Sequence, residues 1–186
     1  MKYLFFDTET TGLPLNWSAP VEDLNNWPRM VQIAWIITDE KGNEIEKKSY
    51  IIKPDGYEIP EEASNIHRIT TERAEKEGVD IYSVLRRLEM ALDDNVLVAH
   101  NISFDEKIVG SEFLRAKMNN LLEGHEKICT MKSSTRYCAL EKGKWPKLQE
   151  LHKKLFGEEF EEAHDALSDI QATAKCFFEL KRLNII

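Results

Sequence analysis

Four carboxylates and one histidine, carried by three separate stretches of a 186-residue chain, have the types and spacing to do metal-assisted chemistry together. The first stretch is FDTETTGLP, residues 6–14. In an extended strand alternate side chains share a face, so Asp7 and Glu9 point the same way, with Thr8 opposite. Two like charges that close repel one another unless cations lie between them. Thr11 and Gly12 then break the strand and leave backbone N–H groups beside the carboxylates, where a sugar or phosphate could bind. A solvated edge strand with incidental acids would show the same D-x-E, so this pattern alone decides nothing.

The second stretch is AHNISFDEKIV, residues 99–109. Asp105 falls in the first turn of an expected helix, where the macrodipole favours a carboxylate. It also heads the inward row Val109, Phe113 and Ala116, which places it at the buried end of a strand–turn–helix junction. The third stretch is AHDALSDIQATAKCFFEL, residues 163–180. On a helical wheel Ser168, Gln171, Lys175, Glu179 and Arg182 form the polar face. Asp169 lies on the other side, beside Ala166, Thr173, Cys176 and Leu180. A carboxylate among small and apolar neighbours is costly unless paired or metal-bound. His164 belongs to the turn entering that helix and can swing over the same cleft, although a histidine at a helix start is by itself more often a cap or a surface group. Carboxylates suit the hard, oxygen-preferring Mg²⁺ or Mn²⁺ rather than zinc. Two such ions roughly 4 Å apart would stabilise the attacking and leaving oxygens of a phosphodiester displacement.

The elements that must position these groups follow from pattern. The length suits one domain over residues 1–186, able to bury a core without staples. With 42% hydrophobic and 31% charged residues, the composition is that of a globular protein. A net charge of −8 argues against a duplex-wrapping protein. It is compatible with an enzyme whose cleft receives its positive charge from metals. The three cysteines, Cys129, Cys138 and Cys176, have no zinc-like spacing and read as reduced thiols. The apolar run Tyr3–Phe6 is too short for a signal peptide and nothing reaches membrane length, so a cytoplasmic protein is expected.

Tyr3–Thr8, Val31–Thr38 and Ile45–Ile52 read as strands, the last two joined by the turn Asp39–Asn43 as a hairpin. Pro14–Arg29, with Trp17, Trp27, Pro20 and Pro28, reads as an irregular surface loop. A helical stripe spans Asp80–Asp93, followed by the strand Val96–Ala99. Ser103 and Glu106 have capping-box spacing, which predicts a helix from Phe104 to about Met118. A short strand near Lys127–Thr130, a helix Lys147–Phe156 and a helix from about His164 to Leu183 complete the chain. Strands first and β-α alternation later predict an α/β three-layer sandwich with a mixed sheet.

With these blocks in order, D-x-E at Asp7 and Glu9, N-x-x-F-D from Asn101 to Asp105, and H-x-x-x-x-D from His164 to Asp169, the chain resembles the DEDDh family of 3′-to-5′ exonucleases over roughly residues 3–180. That family includes the epsilon subunit of DNA polymerase III, ribonuclease T and oligoribonuclease. The resemblance implies a ribonuclease H-like fold with a five-stranded mixed sheet flanked by helices. It implies two Mg²⁺ or Mn²⁺ ions held by Asp7, Glu9, Asp105 and Asp169, with His164 as general base, since imidazole titrates near neutrality. It further implies a 3′-hydroxyl pocket at Thr10, Thr11 and Gly12, Leu13 and Phe104 against the terminal base, and Asn101 ordering the cleft. IPEEASNIHRIT, residues 59–70, is similar to the family's segment ending I-H-G-I-T, so His67 would contact the terminal nucleotide; a partly buried loop histidine is the plain alternative. Arg68 departs from the glycine usual there, which bears on the local backbone.

The partner implied is the 3′ end of single-stranded DNA or RNA, with a polymerase or a second copy as further candidates and no membrane. No polymerase-tethering tail follows Ile186, which disfavours an obligate epsilon-like subunit and leaves proofreading and RNA trimming both open. The loop Lys142–Lys147 either grips phosphates or is a solvated turn. Two other functions would leave different marks on the sequence. A catalytically degenerate nucleic-acid-binding or scaffold module should have lost a ligand position, and all five are filled. A metal phosphodiesterase on another fold should pair histidines, and the five present show no H-x-H.

Overall fold

The computed structural model describes residues 1–158, 160 and 165–186. Five strands, β1 (Lys2–Thr10), β2 (Met30–Asp39), β3 (Glu44–Ile51), β4 (Val96–Ala99) and β5 (Lys127–Cys129), form one mixed sheet in the order β3-β2-β1-β4-β5. β1 is the central strand, antiparallel to β2 and parallel to β4. The helices are α1 (Glu61–His67), α2 (Thr71–Glu77), α3 (Ile81–Leu92), α4 (Ile102–Arg115), α5 (Thr130–Cys138), α6 (Leu148–Phe156) and α7 (Ala166–Arg182). This is the ribonuclease H-like α/β sandwich expected above. Among the described residues no helix is long and apolar enough to cross a membrane.

The alternation along β1 sorts its side chains into the two outer layers. Leu4 and Phe6 join Ile33, Trp35, Leu85, Leu88, Val109 and Phe113 in a core against α3 and α4. Tyr3 and Phe5 join Ala166, Ile170 and Phe177 in a core against α7. Burying each such aromatic or aliphatic side chain is worth about 1.5–3 kcal/mol, which locks the register of β1. A slip of one residue would send both sets to the wrong layer.

The 39–43 hairpin turn closes as expected, the Asp39 carboxylate accepting the N–H groups of Lys41 and Asn43. Asp80 caps α3 by accepting the Ser83 N–H. The start of α4 differs from the expectation. There is no capping box; the helix begins at Ile102, and Asn101 precedes it in the left-handed region at φ 72°. A capping serine needs an extended backbone before the helix. Here β4 turns into α4 through one left-handed residue, a conformation asparagine tolerates well. Ser103 Oγ instead donates to the Asn101 side chain, and Glu106 pairs with Lys127. α4 stops at Arg115 because Lys117 turns left-handed, with the Met118 N–H bonding back to the Phe113 carbonyl in a Schellman arrangement.

The structure adds three short helices, α1, α2 and α5, to the elements expected above. Residues 14–29 are irregular, as expected, but not merely superficial: Ala19, Asn26 and Trp27 are buried. α7 begins at Ala166 with Asp165 as its cap, the Asp165 carboxylate accepting the Ser168 N–H. His164 lies outside the described residues.

Candidate active site

The parity that builds the two cores also builds the site. Asp7 and Glu9 continue the Tyr3–Phe5 face of β1 and so reach toward α7, whose first turn carries Asp169. Carboxylate oxygens of Asp7, Glu9 and Asp169 lie within 4.8 Å of one another. Thr8 sits on the opposite face, toward α4. β4 pairs with β1 only as far as Phe5, so beyond that point the edge of β1 is open. Asp105, in the first turn of α4, fills the opening: its Oδ1 accepts the Thr8 N–H at 3.0 Å and the Thr8 Oγ1 hydroxyl at 2.8 Å.

The electrostatics are those of crowded anions. Burial, then the charges of Asp105, Asp169, Glu9 and Asp165, push the Asp7 carboxyl well above its usual value. Burial and the charges of Asp169, Asp105 and Asp165 raise Glu9 to about 8. Asp105 is raised to about 7, chiefly by burial, with the Thr8 hydrogen bonds working the other way. Burial and like charge both disfavour ionisation here, so four ionised carboxylates call for a cation. A cluster of hard oxygen donors at this spacing fits a divalent ion of the Mg²⁺ or Mn²⁺ type.

Beside the cluster opens a cavity of about 470 Å³, within the size range of small-ligand sites. Glu9 belongs to both. Thr10, Thr11, Gly12 and Leu13 line one wall, His67 and Phe104 others. Gly12 has φ 154°, with open space where a side chain would stand, so the chain exposes its backbone to the cavity. Thr10 Oγ1 donates to the Gly12 carbonyl, and Thr11 is tied to Arg29 by two backbone-directed hydrogen bonds. His67, far from being a loop residue, ends α1 and is buried. Its Nδ1 accepts the Ile69 N–H. Burial lowers its pKa below the usual imidazole value. Arg68 takes the left-handed conformation at φ 63° that a glycine would take more readily, and so preserves the turn.

Asn101 does not line the cavity; it sets the entry of α4. The Lys142–Lys147 loop is partly tied down: Lys144 pairs with Glu150, and the Pro146 carbonyl accepts from His100 Nε2. Burial lowers His100 to about 4, so that ring is neutral and structural.

Two positioning residues escaped the sequence reading. Gln32, opposite Glu9 on β2, donates to the Asp165 carboxylate and accepts the Ala166 N–H, clamping the start of α7 beside the cluster. Thr8 fixes Asp105. Only a glutamine within the apolar run from Met30 to Ile37 marks the first in the sequence.

The family model for exonuclease (RNase T) matches residues 4–177 of the chain. A DNA polymerase III PolC-type protein of Pediococcus pentosaceus is 28% identical over 183 residues, 97% of this chain and 11% of that protein. An exonuclease I structure superposes with a TM-score of 0.79 at 24% identity, covering 97% of this chain and 41% of that one. A zinc-bound E. coli exonuclease I–ssDNA complex gives 0.77 at 25% identity, covering 98% and 40%. The chain therefore spans less than half of the exonuclease I chains and about a tenth of the polymerase.

Proposed function

Because the chain belongs to the RNase T exonuclease family, whose DEDD members are 3′-to-5′ exonucleases on the ribonuclease H-like fold, we propose that it hydrolyses the 3′-terminal phosphodiester of single-stranded DNA or RNA with two Mg²⁺ or Mn²⁺ ions and releases 5′-mononucleotides. One observation carries this reading: Glu9 is shared between the carboxylate cluster and a nucleotide-sized cavity. The exonuclease I neighbour that holds single-stranded DNA supports a single strand as substrate.

Asp7, Glu9, Asp105 and Asp169 would hold the ions. When bound, such ions lower the pKa of a coordinated water and offset charge on the reacting phosphate. The chain's own groups do the rest. Thr10, Thr11 and the exposed backbone at Gly12 orient the terminal sugar and its 3′-hydroxyl. His67, buried at the wall of the cavity, hydrogen-bonds the terminal nucleotide through Nε2. Leu13 and Phe104 hold its base. His164 takes the proton of the attacking water. The DNA polymerase III PolC-type relative supports a setting beside a polymerase for this activity.

The test is digestion of 5′-labelled single-stranded DNA and RNA with Mg²⁺, Mn²⁺ or EDTA. A ladder shortening one nucleotide at a time, abolished by EDTA and by Asp7→Ala, is expected. Cleavage that starts internally, or continues in EDTA, overturns the proposal.

A further inference from the structure

The loop after Gly12 does something unusual with apolar side chains. Leu13 is 72% exposed, Leu15 87% and Trp17 53%. Yet the loop that carries them is firmly held. Arg115 Nη2 donates to the carbonyls of Leu24 at 2.6 Å and Trp27 at 2.7 Å. Lys107 Nζ donates to the carbonyls of Ala19 at 2.9 Å and Trp17 at 3.4 Å. Asn16 and Asn26 clasp each other through two hydrogen bonds, and the Trp27 indole N–H donates to the Pro20 carbonyl. Trp27 turns into the core, whereas Trp17 is fixed outward. A large aromatic held rigidly in water has given up apolar burial that a flexible loop could recover.

Its position suggests what covers it. The Trp17 ring lies 5.6 Å from the Phe104 ring at an interplanar angle of 41°. Phe104 is itself a wall of the cavity that Glu9 lines. Aromatic surface therefore continues from the cavity to the outside without a gap. Lys107, bonded to the Trp17 carbonyl, sets a positive charge beside this surface on a chain whose net charge is −8.

We propose that Trp17 is a second base-binding subsite, on which the nucleobase next to the 3′-terminal one stacks. The inference rests on the reading above that a strand's 3′ end enters the cavity. Base–aromatic stacking tolerates any sequence and needs only an accessible ring face, which Trp17 offers. Rigidity suits the role, because a platform ordered in advance loses no entropy on binding.

Binding is the readout that separates this subsite from turnover. The turnover-deficient Asp7→Asn chain, with Mg²⁺, is titrated into 5′-fluorescent oligonucleotides that carry an intact or an abasic penultimate nucleotide. The abasic site weakens binding on the order of tenfold in the Asp7→Asn chain. Adding Trp17→Ala weakens binding of the intact strand similarly and erases the abasic penalty, while Trp17→Phe restores most of both. An abasic penalty that persists after Trp17→Ala, the lack of any penalty in the parent, or no binding of the intact strand overturns the subsite. Failure of the wild-type chain to shorten a 3′ end refutes the exonuclease reading instead, and is seen in a different assay.

Discussion

Asp105 and Glu112 lie two turns apart on α4, both buried at 3% and 1% exposure, and the chain treats them in opposite ways. Glu112 is surrounded by its own cations and donors. Its carboxylate takes hydrogen bonds from Arg29 Nε at 2.9 Å, Arg115 Nη1 at 2.9 Å and the Met30 N–H at 3.1 Å. Asp105 takes its hydrogen bonds from neutral Thr8 and faces further negative charge from Asp7, Glu9 and Asp169. The fold had arginines to spend on buried carboxylates and used them at one end of the helix only. A buried acid neutralised from within is a fastener, here pinning residues 24–29 to α4. Asp7, Glu9 and Asp105, crowded by like charge and given no arginine by the described residues, form instead a receptor for charge that arrives from outside.

Exchanging charge at the two ends should therefore separate activity from stability. The largest effect is on turnover: Asp7→Asn lowers kcat by on the order of a thousandfold or more, as loss of a preorganised electrostatic group does. Its thermal midpoint in EDTA stays level or rises, because one repelling charge is gone. Glu112→Gln does the reverse. It leaves Arg29 and Arg115 without their shared anion and costs about 3 kcal/mol, a drop on the order of 10 °C in Tm. Circular-dichroism melts beside steady-state rates check both; a destabilised Asp7→Asn in EDTA would break the contrast.

A smaller effect sharpens it. Thr8→Val keeps the shape of the strand and removes the hydroxyl that steadies Asp105. Loss of such a supporting partner typically weakens metal affinity or activity about 10–100-fold. Raised Mg²⁺ should restore much of the rate, which a merely misfolded variant would not allow.

The smallest effect is in pH. Glu9 at about 8 and Asp105 at about 7 lie above the ordinary carboxylate range, so the folded chain holds protons that the unfolded chain has released. The stabilisation this gives is present in full below the unfolded values, near pH 4. It is lost as pH rises through the folded values. In EDTA the Tm advantage of Glu9→Gln over wild type should accordingly widen between about pH 5 and about pH 9. Manganese should narrow it again and release protons on binding. A Tm difference that is constant across that range contradicts the assignment.

What the sequence disclosed of this contrast was uneven. Strand parity put Asp7 and Glu9 on one face, and the wheel of the last helix turned Asp169 away from its polar side, because both periodicities are local geometry. Asp105 was found by its inward row, although the capping signal beside it misled: Ser103 and Glu106 match a box whose formation needs an extended residue, and Asn101 is left-handed instead. The Glu112–Arg29 pair spans 83 positions and the Gln32–Asp165 clamp 133, and nothing local marks partners so far apart. α1 and α2, at seven residues each, are too short for a hydrophobic period to stand out. Trp17 and Trp27 read alike as loop tryptophans, and only packing sends one inward and leaves the other exposed.

The most direct measurement is anomalous diffraction at the manganese edge from crystals grown with Mn²⁺. Peaks in contact with the carboxylate oxygens of Asp7, Glu9 and Asp169, weakened or lost in Asp7→Asn, are the expected result. Ordered crystals with no peak at that cluster, or with peaks unchanged by Asp7→Asn, would contradict the claim that these carboxylates exist to hold a divalent ion.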